Sequence, residues 1–368
     1  MKRTTTAAIG ALSAVLAFGG AGVAAAGGGA AGAVYTQTNG AGGNAILAFS
    51  RSSSGQLSPL GTYPTGGLGT GSGLGSQGAV TLTRDGNLLL AVDAGSDDIA
   101  SYAVRDDGGL MLVDRVGSAG DQPISVTAHG GIAHVLNAGG GGNIAGFTLD
   151  GAGDLTPIAG SSRSLSTSTS GPAEIAFNPA GTALLVTEKN TNRLTTYKVG
   201  TNGLASAGTW ISSAGVTPFG FAFDARGRAI VSEASGGAAD ASTVSSYAVR
   251  GGSAAIIDGP VATTETSACW VAVTENGRFA YDANTGSGTV TGFAVGNDGS
   301  LTRLDANGVT GVTGGSPADL DASANGHFLY VRVGGLNDIS AFRVAVDGSL
   351  SSIGTTGLPV GTVGIAAS

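Results

Sequence analysis

The chain has 368 residues, of which 11% are charged, 67 are glycine and one is cysteine, and its formal net charge is −8 at pH 7. An acidic balance without any basic cluster argues against nucleic acid and anionic membrane surfaces as partners, and a single cysteine excludes an internal disulfide. Apolar runs recur between glycine turns, which indicates a folded β protein rather than a disordered chain.

The N-terminus predicts an export signal. Two basic residues after the first methionine precede an apolar, small-residue run over 7–23, and an A-x-A cleavage motif follows at 24–26. We therefore predict a cleaved signal peptide over 1–26, a single domain over 27–368 and a secreted or periplasmic location. The alternative, a membrane anchor, is disfavoured because the run is short and rich in glycine and alanine.

Seven aromatic residues set a period along the rest of the chain. Each follows a β-branched residue or leucine by three positions, the intervals run from 45 to 53 residues, and most are followed by a glycine turn and a leucine. The seven are Phe49, Tyr102, Phe147, Tyr197, Tyr247, Phe293 and Phe342. Self-similarity at this period is typical of β-propellers, in which one repeat is one four-stranded blade.

The sixth repeat shows the predicted blade most clearly. Tight turns separate apolar strands at Cys269–Val273, Phe279–Asn284 and Val290–Val295, and Leu301 opens a fourth strand. Cys269 is interpreted as a small buried hydrophobe. The pattern predicts an all-β fold, a seven-bladed β-propeller of four-stranded antiparallel blades.

The two ends of the chain predict how the ring closes. The first repeat begins at 33–36 with a second strand and has no first strand of its own, whereas 359–366 resembles a first strand that nothing follows. We expect this C-terminal strand to join the first blade, which removes the exposed sheet edges. A closed ring of this kind is expected to be a monomer.

Long connections predict which face binds ligands. The loops between second and third strands, and those between blades, share one face of a propeller. The longest connections, at 64–75, 160–171, 234–241 and 306–315, all fall there. Extra loop length on one face of a rigid scaffold marks the expected binding face.

A column of polar residues lies on that face before the aromatics. Local turns explain the asparagine and aspartate residues of the column, which are Asn39, Asp93, Asn137 and Asn284. Asp93, Asn137 and Asn284 are also candidate substrate ligands. Glu188 and Glu233 occupy the column in adjacent repeats, where they are either catalytic or solvated rim charges. Lys189 is either an anion ligand or the ion-pair partner of Glu188. Trp270, in an inner strand, either walls the pocket or packs in the core.

Several catalytic motifs are absent from the sequence. It contains neither a G-x-S-x-G nucleophile elbow nor an H-E-x-x-H zinc motif, and its three histidines lie in or beside turns or within a strand. We therefore predict no cofactor and no protein-bound metal site, although a requirement for a divalent cation stays open. Asp93, Asp97 and Asp98 are too irregularly spaced for an EF-hand loop.

The blade over 275–295, ENGRFAYDANTGSGTVTGFAV, resembles the lactonase family of seven-bladed propellers, which includes propeller-type 6-phosphogluconolactonases and fungal carboxymuconate lactonizing enzymes. The resemblance covers about 33–368. It implies a catalytic face carrying arginine, histidine and glutamate. Glu233 matches the glutamate of the family's fifth blade, Glu188 matches the aspartate of its fourth, and Arg163 stands in for its arginine. The family's histidines are absent here.

Two functions are compatible with these features. The first is an exported lactone hydrolase, or a related muconate-cyclase-type lyase. Glu233 would then be the general base and Glu188 its partner, and Arg163 or Lys189 would hold the oxyanion or a substrate carboxylate. The alternative is a non-catalytic secreted propeller that binds a glycan, peptide or protein on the same face.

Overall fold

The structure, a computed structural model, describes residues 31–368. The predicted signal peptide over 1–26 therefore lies outside the described residues. Over residues 31–368, thirty strands form seven antiparallel sheets of four or five strands each, and one short 3₁₀ turn lies at Ser235–Gly237. No helix within 31–368 is long and apolar enough to cross a membrane.

The strands follow one another in simple meander order. The first blade contains β1 (Gly32–Gln37), β2 (Ala45–Arg51) and β3 (Leu57–Pro64), and the second contains β4 (Val80–Leu82), β5 (Leu88–Asp93), β6 (Asp98–Val104) and β7 (Leu110–Gly117). The third blade contains β8 (Pro123–His129), β9 (Ile132–Asn137), β10 (Asn143–Leu149), β11 (Leu155–Pro157) and β12 (Arg163–Ser164). The fourth contains β13 (Pro172–Phe177), β14 (Ala183–Glu188), β15 (Arg193–Lys198) and β16 (Thr209–Ser212).

The remaining blades repeat the plan. The fifth blade contains β17 (Pro218–Phe223), β18 (Arg228–Glu233), β19 (Thr243–Arg250) and β20 (Ser253–Ala262). The sixth contains β21 (Ala268–Val273), β22 (Phe279–Asn284), β23 (Thr289–Val295), β24 (Leu301–Arg303) and β25 (Gly311–Val312). The seventh contains β26 (Pro317–Ala322), β27 (Phe328–Val333), β28 (Asp338–Val344) and β29 (Leu350–Gly357), and the C-terminal β30 (Val363–Ala367) follows it.

The ring closes as predicted. β30 pairs antiparallel with β1, with Val34 opposite Ala367, and supplies the first strand of the first blade. The backbone N–H of Ala33 donates to the Ser368 hydroxyl at 2.8 Å, and the Thr36 hydroxyl donates to the Gly364 carbonyl at 2.6 Å. The predicted seven-bladed propeller with C-terminal closure is confirmed.

The periodic aromatics also occupy their predicted place. All seven lie in third strands and are buried. The glycine turn after each of them has a defined contact: its carbonyl accepts a hydrogen bond from a side chain of the preceding blade. In blade order the pairs are Tyr35–Gly108, Ser101–Gly153, His134–Gly203, Thr196–Gly252, Ser246–Gly299, Tyr281–Gly348 and Tyr330–Gly55. Each blade is therefore tied to the next around the whole ring.

Two connections contain more structure than the sequence indicated. Within 160–171, β12 pairs with β10, and within 306–315, β25 pairs with β23. In both blades the outer strand is interrupted, and two further residues of the connection then pair with the third strand. These connections therefore extend the outer sheet edge as well as the long-loop face.

Candidate functional site

The segment 74–77, between the first and second blades, crosses the central channel. The backbone N–H of Gln77 donates to the Ala173 carbonyl on the inner strand of the fourth blade at 3.1 Å. The Ser76 hydroxyl donates to the Ile124 carbonyl of the third blade at 2.8 Å, and the Ser76 carbonyl accepts the indole N–H of Trp270 in the sixth blade at 2.9 Å. The segment thus divides the channel into a cavity on the long-loop face and a cavity on the tight-turn face.

The side chain of Gln77 attaches this segment to the sixth blade. Its amide nitrogen donates to the Val271 carbonyl at 2.7 Å, and its amide oxygen accepts the Val271 N–H at 3.0 Å. The amide therefore completes the hydrogen bonding of an inner-strand residue in the way that a neighbouring strand would.

We expect Gln77→Ala to lower the free energy of unfolding by about 2–3 kcal/mol, because it leaves both backbone groups of Val271 buried without their partner. Urea unfolding measures the effect, with the exposed Gln56→Ala as matched control. Equal stability of the two variants would show that the channel segment is not held in this way.

The loop-face cavity lies between this segment and the blades around it and has a volume of about 560 Å³. Its wall combines glycine backbone with a few larger side chains: Leu74, Ser76, Trp270, Ser316, Arg332 and Asn337. Trp270 is 7% exposed, and its ring lies 5.0 Å from that of Phe219 between centroids. A cavity with one aromatic wall, one cation and several small polar groups is suited to a small polar ligand.

Arg332 is the charged group of the loop-face cavity. It precedes the last residue of β27 and is 7% exposed. One terminal nitrogen donates to the Ala318 carbonyl, whereas Nε contacts no acceptor in the described part of the chain. Burial lowers the pKa of Arg332, and the charge of Asp319 opposes that shift. Within residues 31–368 no carboxylate lies within 4.0 Å of its guanidinium, so this cation is suited to hold an anion or a polarised carbonyl.

Sequence reasoning missed Arg332. The strand reads FLYVRV, and every one of its six residues is buried. A charge inside a fully apolar strand next to the long-loop face was the signal that could have identified it.

Lys189 also contacts the channel segment. Its ammonium donates to the Gly75 carbonyl at 2.6 Å and lies 4.6 Å from the centroid of the Phe219 ring. Burial lowers its pKa to about 8. The two ion pairs found among residues 31–368 do not include Lys189 with Glu188, so the alternative of a lysine paired with its neighbour is not observed.

Glu188 and Glu233 lie at the ends of second strands, and both are fully buried, so neither is a solvated rim charge. Each accepts hydrogen bonds from its own blade and from the preceding connection. For Glu188 the donors are Ser166, Thr191 and Thr195. For Glu233 they are Ser213, Gly215, Thr243, Ser245 and Tyr247. These contacts anchor loops; the catalytic pairing of the two glutamates stays a prediction.

The other predicted ligands are distributed through the loop-face layer. Asp93 accepts the Thr65 hydroxyl at 2.7 Å, Asn137 donates to the Ser118 carbonyl at 3.2 Å, and Asn284 donates to the Thr291 hydroxyl at 2.9 Å. All three are buried. Arg163 donates to the Ala205 carbonyl at 2.7 Å near the outer strands. Of the predicted binding residues, Trp270 lines the loop-face cavity and Lys189 flanks it.

No family model matches the chain, and no curated protein matches it. Solved structures share its fold. The periplasmic gluconolactonase of Pseudomonas aeruginosa is 17% identical, with a TM-score of 0.73 over 91% of this chain and 98% of that chain. A candidate 6-phosphogluconolactonase of Bacteroides uniformis is 19% identical, with a TM-score of 0.72 over 92% and 99%. A Lactobacillus plantarum protein is 18% identical, with a TM-score of 0.72 over 91% and 99%. The chain therefore has the propeller fold of these proteins over nearly their whole length.

Proposed function

We propose that this protein is a lactone hydrolase that acts outside the cytoplasm and binds a small sugar lactone in the loop-face cavity. The observation that carries the proposal is the buried guanidinium of Arg332 on the wall of this cavity, which Trp270 also lines. Two of the fold neighbours are described as a gluconolactonase and a candidate 6-phosphogluconolactonase, and the first of these is periplasmic. That location agrees with the export signal predicted over 1–26.

The chemistry follows from the groups at the cavity. Water attacks the lactone carbonyl, the ring C–O bond breaks, and the released alkoxide takes a proton to give a hydroxy acid. The N–H groups of Arg332 would polarise the carbonyl and stabilise the oxyanion that forms. Trp270 would contact the apolar face of the sugar ring. Lys189 is not itself in the lining but contacts Gly75 of the cavity wall. It is increasingly neutral above a pKa of about 8 and would then take up the proton of the attacking water through an intervening water molecule.

A second candidate function is binding without turnover, on the same face. It is favoured by the composition of the cavity wall: its lining residues within 31–368 include no carboxylate, imidazole or thiol. A protein of this kind would hold an aldonate or an acidic glycan through Arg332 and Trp270 and would have no group in direct contact to activate water.

Acid release in a pH-stat separates these candidates. The mature chain is offered δ- and γ-aldonolactones, with Arg332→Met compared against the exposed Arg250→Met. We expect acid release above the spontaneous rate, a loss of about 10²-fold or more in Arg332→Met and no change in Arg250→Met. We also expect Lys189→Met to remove a rise in rate centred near pH 8.

Other outcomes reject the proposal. Saturable aldonate binding without acid release would favour the binding function. Absence of both would reject the loop-face cavity as the site of either function.

A further inference from the structure

The structure carries a second cavity, on the other side of the channel segment and at the opposite face from the proposed lactone site. This turn-face cavity has a volume of about 430 Å³ and opens between the tight turns that join first and second strands. Gln77 and Gly78 form its inner end. The volume is within the range of small-molecule sites.

Five acidic side chains are among the residues that line the turn-face cavity. Glu174, Asp319 and Asp321 come from inner strands, and Asp85 and Glu275 come from the turns at its mouth. The one basic residue in the lining is Arg84, which is exposed at the same mouth. When these groups are ionised, as a bound cation would favour, a narrow, low-dielectric channel focuses their negative field toward its interior.

Two of these carboxyl groups are buried deep in the channel and come from blades that are not neighbours in the ring. Glu174 is 5% exposed and Asp319 is 2% exposed, on the fourth and seventh blades of the ring. Each lies at an irregularity of its strand pairing, and Asp319 has a backbone φ of 140°, a conformation that costs free energy in a residue other than glycine. The bulges bring both side chains to the cavity wall.

The acceptor capacity of these groups is not used up within the protein. Glu174 accepts the Phe221 N–H at 2.6 Å, and one oxygen of Asp319 accepts the N–H of Leu320 at 2.9 Å. The other oxygen of Asp319 is buried without a hydrogen-bond partner in the part of the chain that the structure describes. A buried carboxyl group in this state destabilises the empty fold, and a ligand that supplies N–H donors would offset that cost.

We propose that the turn-face cavity binds a small organic cation carrying a protonated amine. Glu174 and Asp319 would hold the amine, and Asp321 would lie along the path by which the cation enters. A metal ion fits the geometry less well, because no three His, Cys, Asp or Glu side chains within 31–368 converge closely enough to coordinate one. An amine on an extended carbon skeleton can reach acceptors that lie apart on opposite walls of the channel.

Calorimetric titration of the mature chain tests this site. The probes are 1,4-diaminobutane and glucosamine, with 1,4-butanediol and glucose as their neutral counterparts and CaCl₂ as the inorganic cation. We expect saturable binding of the amines alone. We expect at least tenfold weaker binding in Asp319→Asn and in Glu174→Gln, and unchanged binding in Asp347→Asn, which alters an exposed turn.

Melting temperatures keep the test decisive if one variant folds poorly. Both amide variants preserve side-chain shape and remove a buried acid, so we expect each to melt at or above the wild-type temperature. The wild-type chain should also melt at a higher temperature with diamine than with diol. Calcium binding without amine binding, equal binding of diol and diamine, or binding that both amide variants retain would each overturn the proposal. None of these results depends on lactone turnover.

Discussion

Glu233→Ala is expected to lower the free energy of unfolding by about 3–5 kcal/mol, the range for removal of one partner from a buried charged network. The carboxylate of Glu233 is fully buried and accepts hydrogen bonds from five residues, including the Tyr247 hydroxyl at 3.2 Å and the Gly215 N–H at 2.9 Å. Alanine leaves these donors without an acceptor and detaches the connection before the fifth blade. Urea unfolding followed by circular dichroism measures the change.

Two further variants show what the measurement means. Glu275→Ala removes an exposed glutamate and should change stability by less than about 0.5 kcal/mol. Glu233→Gln keeps one acceptor oxygen and should cost less than the alanine variant. If Glu233→Ala were as stable as Glu275→Ala, the loop-anchoring role would be wrong. If Glu233→Gln stayed stable but lost lactone turnover, the catalytic role predicted from the sequence would be supported instead.

The folded protein is expected to be more stable near pH 5.5 than near pH 8. Burial raises the pKa of Asp319 to about 8 and that of Asp321 to about 7, and it raises the pKa of Glu174 well above its usual range. Between the ordinary carboxyl pKa and these raised values, the folded state holds protons that the unfolded chain has released. The free energy of unfolding therefore falls as pH rises through this interval.

Two groups act in the opposite direction but in limited windows. Burial lowers the pKa of His134 to about 4, so this residue favours the folded state increasingly from about pH 4 to its unfolded pKa of about 6.5. Burial lowers the pKa of Lys189 to about 8, so this residue increasingly favours the folded state only above that pH. Because several buried carboxyl groups act together, including Asp282, their slope should dominate from pH 5.5 to 8.

Melting temperatures from pH 5 to 8.5 test this dependence. We expect a decrease of several degrees across the range in the wild-type chain and a smaller decrease in Asp319→Asn. The surface variant Asp347→Asn should retain the wild-type slope, because that residue lies in an exposed turn. A flat or rising profile in the wild type would show that the channel carboxyl groups are ionised in the folded protein at no cost.

The ring could be predicted from sequence because its determinants are local and periodic. Each third strand buries one aromatic, and each following glycine turn accepts a hydrogen bond from the preceding blade, as Gly348 does from Tyr281 at 2.8 Å. Those glycines have positive φ, for example 89° at Gly348, a requirement that recurs visibly along the chain. Closure was predictable because the two terminal fragments complete one blade.

The channel could not be predicted in the same way. The segment 74–77 lies in a glycine-rich connection with no periodicity, and the partners of Gln77 and Ser76 in the sixth blade are 194 residues away. The column of acids and amides was visible, but its partners are serine and threonine residues of connections whose course the sequence does not specify. Arg332 was hidden within a strand that otherwise reads as core.

The proposed lactone site is tested most directly by the fluorescence of Trp270. The chain has two tryptophans, and Trp210 lies on an outer strand, 50% exposed and stacked against Arg193. In Trp210→Phe the remaining emission therefore comes from the wall of the loop-face cavity. We predict a saturable change in that emission on titration with D-gluconate, lost when Arg332→Met is added. An emission that does not respond, or a response that persists without Arg332, would contradict the assignment of this cavity as the ligand site.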